Sequence, residues 1–407
     1  MSDPREGEEC FLNVPEELDN PFPDLKYFRE QRPVFYYPPL QTWFIFRYDD
    51  VSTLFHDARL SADRMKGFID MAPAGVRDEL RPLAPSFERW VLMKDGQDHA
   101  RLRQFLNLGF NATVVHGLRG PIQRSVDELL DRAQDQGHID AAGDFAFLLP
   151  AYVLSDFLGV HQEDRGKVVQ WSVDFVDFFN VVPITVDTTR RMTRSAAAMI
   201  DYTKQLLVEH RAHPQADFLG TLVNASTGGA RFMDEEIIAN AMLLLLAGHV
   251  AVRNLIGNAL YLLLTHPDEL AKLRGNPALM HNVIEETLRY EPPVTLIPRL
   301  ALEDFELHGN AIRQGQLVQL SIASANHDSA HFPEAERFDI SRSPGHHLSF
   351  GHGPHGCLGA SLAKEQAAIA LTTLLRLFPR LRLDASQPIQ WYRNAGNRGP
   401  IALPLVV

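Results

Sequence analysis

The stretch Phe350-Gly351-His352-Gly353-Pro354-His355-Gly356-Cys357-Leu358-Gly359 carries more information about this chain than any other. It is a glycine-rich run around one cysteine, and Ala360-Ser361-Leu362-Ala363-Lys364-Glu365 after it indicates the start of a helix. Such a loop can present a thiolate to a bound metal, shielded by backbone amides and by the positive end of the helix. The loop therefore predicts that Cys357 is a metal ligand. The simpler alternative is a lone structural cysteine.

A cysteine thiolate is one of the axial ligands of haem iron. The loop resembles the haem-ligand loop of the cytochrome P450 family, and the resemblance extends over nearly the whole chain. It implies a mainly α fold, a helical bundle with small β-sheets around a buried haem b (iron protoporphyrin IX), with Cys357 as the metal ligand. The residues of the loop at family positions are Phe350, Gly351, Gly353, His355, Cys357 and Gly359.

Bulk composition restricts the partners that this protein can have. The 407 residues contain no long linker and no repeat of 20–50 residues, so one domain over 1–407 is predicted. The balance of 39 basic against 51 acidic residues argues against nucleic acid as a main partner. Two distant cysteines, Cys10 and Cys357, form no disulfide framework, which is typical of a reducing cytoplasm. The N-terminal residues resemble neither a signal peptide nor a membrane anchor, so a cytoplasmic protein without a membrane partner is expected. A monomer is also expected.

Apolar residues recur at helical spacing over most of the chain, which predicts a largely helical protein. The most apolar stretch, 239–264, contains several polar residues and therefore predicts a buried core helix rather than a membrane span. Short β-prone runs indicate small sheets at 42–46, 294–302, 304–308 and 317–322, and 61–85 is interpreted as a loop. The predicted helices cover 49–59, 97–110, 121–136, 145–159, 190–212, 234–265, 267–275, 277–290 and 358–377.

Glu286-Thr287-Leu288-Arg289 places an acid and an arginine three residues apart on one helical face. Alone, this spacing is typical of a surface ion pair. The resemblance to cytochromes P450 implies a buried pair, joined by an arginine from a later segment, that stabilises the region around the cysteine loop. We predict Arg337 as that third, structural member, with Arg342 as the alternative.

Haem propionates need cations or hydrogen-bond donors. His99 and Arg103 are four residues apart on one predicted helix, and Arg299 follows a Glu-Pro-Pro turn. Each would be an ordinary polar residue by itself. The resemblance implies that His99, Arg103, Arg299 and His355 hold the propionates.

The predicted helix over 234–265 departs from the family pattern. Ala247 and Gly248 match the small pair that leaves room for dioxygen, but Val250 and Ala251 occupy the positions where the family has an acid and a threonine. Those two groups assist proton delivery, so three hypotheses remain: water or the substrate supplies protons, the reaction avoids the usual protonation, or turnover is weak. His249 is a less favoured proton donor whose helical face, shared with Arg253, points away from the haem. Asn254 is the more plausible polar neighbour of the pocket.

Substrate contacts can be predicted only by region, and most of the residues concerned are apolar. Together they predict a roomy apolar pocket with a few polar contacts. Arg64, Arg393, Asn394, Asn397 and Arg398 weakly indicate an oxygenated or acidic substrate. The predicted pocket residues are Arg64, Phe68, Phe175, Phe178, Phe179, Leu243, Val294, Leu296, Ile297, Asn394 and Ala395.

The resemblance implies a haem-thiolate monooxygenase that hydroxylates or epoxidises a medium-to-large apolar molecule, in particular a bacterial secondary metabolite, free or bound to a carrier protein. It uses O2 and electrons from NAD(P)H, delivered by a ferredoxin or flavodoxin and its reductase. The expected docking surface for that partner contains Arg101, Arg103, His352 and Lys364. Two alternatives stay open: a peroxygenase or oxidative-coupling enzyme, and a catalytically weak haem protein that binds or senses a ligand.

Overall fold

The structure is a computed structural model that describes residues 17–65, 69, 74–134, 137–180, 185–227, 230–343 and 345–407. Helices predominate, as the sequence predicts. The α-helices of the N-terminal half are α1 Phe22–Gln31, α2 Tyr48–Leu54, α3 Ala74–Leu80, α4 Ala84–Phe87, α5 Gly96–Gly109, α6 Ala112–Gly117, α7 Arg119–Gln134, α8 Leu148–Phe157, α9 Arg165–Asn180 and α10 Val186–Ala212. The later ones are α11 Phe218–Val223, α12 Asp234–Thr265, α13 Pro267–Gly275, α14 Met280–Tyr290, α15 Ile322–Ala325 and α16 Ala360–Leu377.

The strands form small sheets beside the helices. The largest has the order β1-β2-β10-β7-β3, and a second has the order β11-β14-β4. In the first sheet β10 runs parallel to β2 and antiparallel to β7, with Val318 opposite both Trp43 and Arg299. The strands are β1 Val34–Tyr37, β2 Thr42–Ile45, β3 Leu60–Ser61, β4 His138–Asp140, β5 Ser226–Thr227, β6 Ala230–Arg231, β7 Leu296–Ala301, β8 Phe305–Leu307, β9 Asn310–Ile312, β10 Leu317–Ser321, β11 Arg382–Leu383, β12 Gln390–Trp391, β13 Pro400–Ala402 and β14 Pro404–Val406.

Helix α12 passes through the interior and positions the candidate site. Its first turn carries Asp234, Glu235 and Glu236, whose negative charges interact favourably with the positive end of the helix dipole. Glu236 also accepts a hydrogen bond from the Met233 amide. By length and composition it could cross a membrane, with a mean hydropathy of 1.5 in its most apolar window. However, 67% of that window is buried inside the protein. This burial agrees with the predicted core helix.

The sequence predicted the long helices well and the irregular segments poorly. The helices over 234–265 and 267–275 have the predicted bounds, whereas the helix predicted over 49–59 ends at Leu54. Helices α3 and α4 interrupt the region 61–85, which was interpreted as a loop, and α1 and α9 were not predicted. Aromatic and β-branched residues give α9 a low intrinsic helix propensity. Its burial against α8, α10 and α12 overrides that preference.

Candidate functional site

The cysteine loop is shaped by glycines in the left-handed backbone region. Gly351 has φ +69° and Gly353 has φ +75°, and residues other than glycine rarely adopt these angles. The loop is closed by hydrogen bonds from the Gly351 amide to the Leu348 carbonyl (2.8 Å) and from the Cys357 amide to the Phe350 carbonyl (2.8 Å). These turns bring Cys357 to the end of the loop, just before α16 begins at Ala360.

The Cys357 thiol is accessible although it lies deep in the protein. Its side chain is exposed, and it forms no disulfide within the described part of the chain. Burial nevertheless raises the pKa of the Cys357 thiol, while the Gly359 amide and the nearby Arg103 act in the opposite direction. A thiolate at this depth is therefore favoured when a cation binds it directly, as a metal ion does.

One side of α12 is accessible within an otherwise buried helix. Ala247 is exposed and Ala251, one turn later, is partly exposed, whereas Val250 is buried. Leu244 and Leu246 pack against the same hydrophobic cluster as Leu358, the residue after Cys357. Apolar side chains of α12 and the residue after Cys357 thus pack against one hydrophobic cluster.

Gly248 lies at the contact of α12 with a neighbouring helix. A Cβ atom at residue 248 would lie 3.3 Å from both methyl groups of Leu154 in α8. The glycine therefore allows α12 to pack closely against α8.

Basic side chains gather near Cys357, and the charge of Asp95 acts on one of them, Arg299. Arg299 is buried in β7, Arg103 is half-buried in α5, and neither forms a salt bridge with a carboxylate among the described residues. Burial lowers the pKa of both guanidinium groups. Burying a charged guanidinium without a counter-charge costs desolvation free energy. Two such cations in one place indicate that a bound anion completes the site.

His99 and His355 lie beside these arginines. Their ring centroids are 4.0 Å apart, and His355 Nε2 lies 3.5 Å from Asp95 Oδ1. Burial lowers the pKa of His99 to about 4, and His355 and Arg103 add to the effect. His99 is therefore a neutral hydrogen-bond donor near pH 7. All four predicted propionate partners are brought to one region by α5, β7 and the cysteine loop.

These residues fit a haem. Its two carboxylates would meet the unpaired cations, its iron would meet the accessible thiol, and its apolar ring would meet the small side chains of α12. The chemistry of these side chains therefore matches the functional groups of a haem.

The predicted Glu286–Arg289 pair is buried, and its third member is Arg342. Arg289 donates to both carboxylate oxygens of Glu286 at 2.8 Å, and Arg342 Nε lies 3.3 Å from the same carboxylate. The prediction of Arg337 was wrong: its side chain is 56% exposed and pairs with Glu334 at 3.2 Å. Arg337 contributes only its backbone carbonyl, which accepts a hydrogen bond from Arg289. The chain between 337 and 342 turns, and this turn directs the later arginine inward.

His249 and Arg253 lie on the far side of α12. The His249 ring is fully buried against Phe147, with ring centroids 4.5 Å apart. Burial lowers the pKa of His249 to about 3, and Arg253 contributes to the shift. Arg253 donates to the Tyr392 hydroxyl at 2.6 Å and to the Ile401 carbonyl at 3.1 Å. A neutral, enclosed histidine on this side is poorly placed to deliver protons.

Asn254 is fully buried one turn after Ala251, and neither of its amide atoms has a hydrogen-bond partner among the described residues. A Cβ atom at residue 399 would lie 2.6 Å from Asn254 Cγ, so the glycine at 399 is what makes room for this side chain. The sequence pointed to Asn254 but gave no signal for Gly399.

The predicted substrate residues fall into separate groups. Phe175, Phe178 and Leu243 are buried in one hydrophobic core, while Val294 and Ile297 are partly exposed. Leu296, Asn394 and Ala395 line a small, partly open pocket that shares no residue with α12 or the cysteine loop. Phe68 and the side chain of Phe179 lie outside the described residues.

The basic residues that hinted at an acidic substrate are mostly neutralised. Arg393 pairs with Asp19 at 2.9 Å, and Arg398 pairs with the buried Glu291. Arg64 donates to the Ala62 carbonyl at 2.9 Å, and burial beside Arg299 lowers its pKa to about 10. The expected docking surface is also less basic than the sequence indicated, because Arg101 pairs with Glu236 and Lys364 with Glu285.

The fold and the chemistry of the grouped residues fit a haem-binding enzyme. The sequence model of the family described as Cytochrome P450 matches residues 72–393, and the chain belongs to the cytochrome P450 family. It is 37% identical to cytochrome P450 107B1 of Saccharopolyspora erythraea over 371 residues, 90% of this chain and 89% of that protein. It is 33% identical to the polyketide biosynthesis cytochrome P450 PksS of Bacillus subtilis over 95% of each protein.

The fold also matches solved structures of the family. A crystal structure of P450BioI in complex with hexadec-9Z-enoic acid ligated acyl carrier protein superposes with a TM-score of 0.87. The two chains are 32% identical, and the match covers 96% of this chain and 98% of that one. The protein is thus a monooxygenase of the bacterial P450 type, and its family implies a haem cofactor.

Proposed function

We propose that this monooxygenase hydroxylates or epoxidises a medium-to-large apolar molecule, a bacterial secondary metabolite, and that Cys357 is its iron ligand. The observation that carries the proposal is the accessible Cys357 thiol beside unpaired buried cations and the small apolar side of α12. Polyketide biosynthesis by the relative PksS supports the substrate class. The single domain predicted over 1–407 and the cytoplasmic location belong to the same proposal.

Bound haem supplies the reductive activation of dioxygen that this family uses. Cys357 would hold it from one side, and Arg103, Arg299, His99 and His355 would hold its carboxylates. The apolar residues Leu243, Leu244 and Ala247 of α12 exclude bulk water and orient the substrate. These roles require the residues to be fixed by the protein core, which the packing of α12 against α8 and α16 provides.

Electrons would come from NAD(P)H through a ferredoxin or flavodoxin and its reductase. The substrate is either free or attached to a carrier protein, as the acyl carrier protein in the complex with P450BioI illustrates for that enzyme.

The residues expected to deliver protons are where this chain differs from its family. Val250 is buried and apolar, and Ala251 has no hydroxyl, so water or the substrate would deliver the protons. The same replacement favours a second candidate function, a peroxide-driven oxidation, because peroxide brings its own protons.

A spectral binding screen of the ferric, haem-loaded protein tests the proposal, with a library of polyketides, terpenoids and peptide-like metabolites. A blue shift of the Soret band with one scaffold would identify the substrate class, and turnover of that scaffold with ferredoxin, its reductase and NADPH would confirm the monooxygenase. Turnover with hydrogen peroxide alone would favour the second candidate. Tight binding without product in either reaction would contradict both.

A further inference from the structure

A buried carboxylate joins α14 to α16 beside the cysteine loop. Glu285, in α14, is only 8% exposed, and its Oε1 lies 2.5 Å from Nζ of Lys364 in α16. Its Oε2 lies 3.2 Å from Nε2 of the buried His347. Burial opposes the ionisation of Glu285, but its interactions with His347 and Lys364 outweigh that effect and lower its pKa to about 2. Glu285 is therefore a negatively charged group near pH 7.

Hydrogen bonds determine the tautomer of His347. The Ser349 amide donates to His347 Nδ1 at 3.3 Å, so Nδ1 acts as an acceptor and the ring proton is on Nε2. Nε2 then donates this proton to the Glu285 carboxylate. An imidazole ring with one proton is neutral, so Lys364 is the cation that balances Glu285 in this cluster.

Lys364 and His347 both contact Phe350, the first residue of the cysteine loop. Lys364 Nζ lies 5.1 Å from the centroid of the Phe350 ring, and the His347 ring centroid lies 5.9 Å from it. The Phe350 carbonyl accepts a hydrogen bond from the Cys357 amide at 2.8 Å. The ion pair of Glu285 and Lys364 is thus separated from the Cys357 backbone by one residue.

From this geometry we infer that Glu285 is a positioning residue that holds the Lys364 charge beside the cysteine loop, and that these two opposite charges together set the reduction potential of the bound haem. The inference rests on the proposed function, because it requires haem at this loop. Reduction adds one electron from the ferredoxin to the ferric iron, which becomes ferrous. A positive charge nearby favours the added electron and a negative charge disfavours it. In the intact pair the two effects oppose each other.

The test is a set of midpoint potentials, measured on the haem-loaded protein by titration with dithionite in the presence of mediator dyes. Glu285→Gln leaves the Lys364 cation unbalanced, so it should raise the midpoint potential. Lys364→Met leaves the Glu285 carboxylate unbalanced, so it should lower the midpoint potential. The double variant removes both charges and should return close to the wild-type value. Because the reductant is a small molecule, changes in ferredoxin docking do not affect the result.

The size of each shift follows from electrostatics. With an effective dielectric constant of about 20, a unit charge at a distance on the order of 10 Å changes the equilibrium constant for adding one charge roughly tenfold. Lys364 is 31% exposed, and solvent screens its charge. We therefore expect each single variant to change the ratio of ferrous to ferric haem at a fixed potential by about three- to tenfold. For one electron, a tenfold change corresponds to about 59 mV.

Three control variants separate this effect from a general loss of packing. Lys272→Met removes a similarly exposed lysine, whose Nζ lies 2.8 Å from Glu269 in α13, and it should leave the midpoint potential unchanged. His347→Gln exchanges one neutral side chain for another and should change the ratio of ferrous to ferric haem by less than about twofold. Lys364→Arg keeps the positive charge and should retain the wild-type potential.

The direction of the shifts decides the inference. Shifts of Glu285→Gln and Lys364→Met in the same direction would overturn it, because loosened packing beside the haem affects both variants alike. Shifts no larger than that of Lys272→Met would also overturn it. If Glu285→Gln does not retain haem, Lys364→Met and Lys364→Arg still decide, since only the first should lower the potential.

The ferrous carbon monoxide spectrum of the same samples tests the proposed function separately. Wild-type protein without the red-shifted Soret band would contradict Cys357 as the iron ligand. The signs of the potential shifts would still decide the present inference, because they require only that haem binds beside the loop.

Discussion

At the scale of single residues, the site contains groups whose charged forms are unfavourable unless a ligand binds them. Burial raises the pKa of the Cys357 thiol and lowers the pKa of the Arg299 guanidinium, so each group is destabilised in its charged form. A ligand that offers a metal to the thiol and carboxylates to the arginines removes both penalties at once. The binding free energy of the cofactor therefore depends on particular residues.

Cys357→Ser should abolish the red-shifted Soret band of the ferrous carbon monoxide complex that marks thiolate ligation in this family. Serine cannot supply a soft thiolate to iron. The measurement is the absorption spectrum of the reduced, CO-saturated protein, with Cys10→Ser as the matched control. If Cys357→Ser retained that band, the ligand assignment would be wrong.

Arg299→Ala should weaken haem retention, because it removes a buried cation whose proposed partner is a carboxylate of the cofactor. Truncating one partner of a buried charge pair costs about 3–5 kcal/mol, which corresponds to a loss of affinity of 100-fold or more. Transfer of haem to apomyoglobin measures the effect. Arg313→Ala is the control, since Arg313 pairs with the exposed Asp304 at 2.8 Å on the surface. Equal transfer rates for the two variants would contradict the assignment.

At the scale of elements, α12 and α14 form the rigid frame of the site. The Glu286 carboxylate accepts hydrogen bonds from Arg289 and the Asp339 amide, and it pairs with Arg342. Arg289 in turn donates to the carbonyls of Asn326, Ala335 and Arg337. One helical ion pair thereby fixes the irregular segment that leads from β10 to the cysteine loop.

Glu286→Gln should destabilise the protein by about 3–5 kcal/mol, because it leaves the buried Arg289 and the partly buried Arg342 without their counter-charge. Urea unfolding measures the free energy change. Arg342→Gln should also destabilise measurably, whereas Arg337→Gln should stay within about 0.5 kcal/mol, as exposed substitutions do. A larger effect of Arg337→Gln than of Arg342→Gln would show that the third member is misassigned.

At the scale of the whole molecule, burial of neutral histidines makes stability depend on pH. His327 is buried with Nε2 2.7 Å from the Tyr290 carbonyl, and burial lowers its pKa to about 3. The pKa of His249 is lowered to about 3 for the same reason. In the unfolded chain both rings take up protons near pH 6.5, so the unfolded state binds more protons between about pH 6.5 and 3. Stability is therefore highest above this window and falls as the pH falls through it.

His327→Gln should move the midpoint of acid unfolding to lower pH, since glutamine keeps a hydrogen-bond donor but has no proton to gain. Circular dichroism of the haem-free protein across pH 7 to 3 measures this midpoint. His116→Gln, at an exposed position of α6, should leave it unchanged. If the His327→Gln midpoint equalled that of the wild type, the proposed linkage would be incorrect.

The sequence by itself determined the parts of this protein that depend on local pattern. The cysteine loop needs glycines at particular backbone angles, and the long helices need apolar residues at a fixed spacing. Both can therefore be predicted from the sequence. The loss of the acid and the alcohol at Val250 and Ala251 was equally visible, because α12 is continuous around them.

Only the tertiary structure decided which distant groups meet. Arg342 rather than Arg337 reaches Glu286, and Gly248 is where α12 packs closely against Leu154. Helix α9 forms against its own propensity, and Gly399 leaves room for Asn254 from a part of the chain that no local pattern connects to it. Such contacts arise when elements far apart in sequence pack together, and the free energy of that packing outweighs the local preferences that a sequence displays.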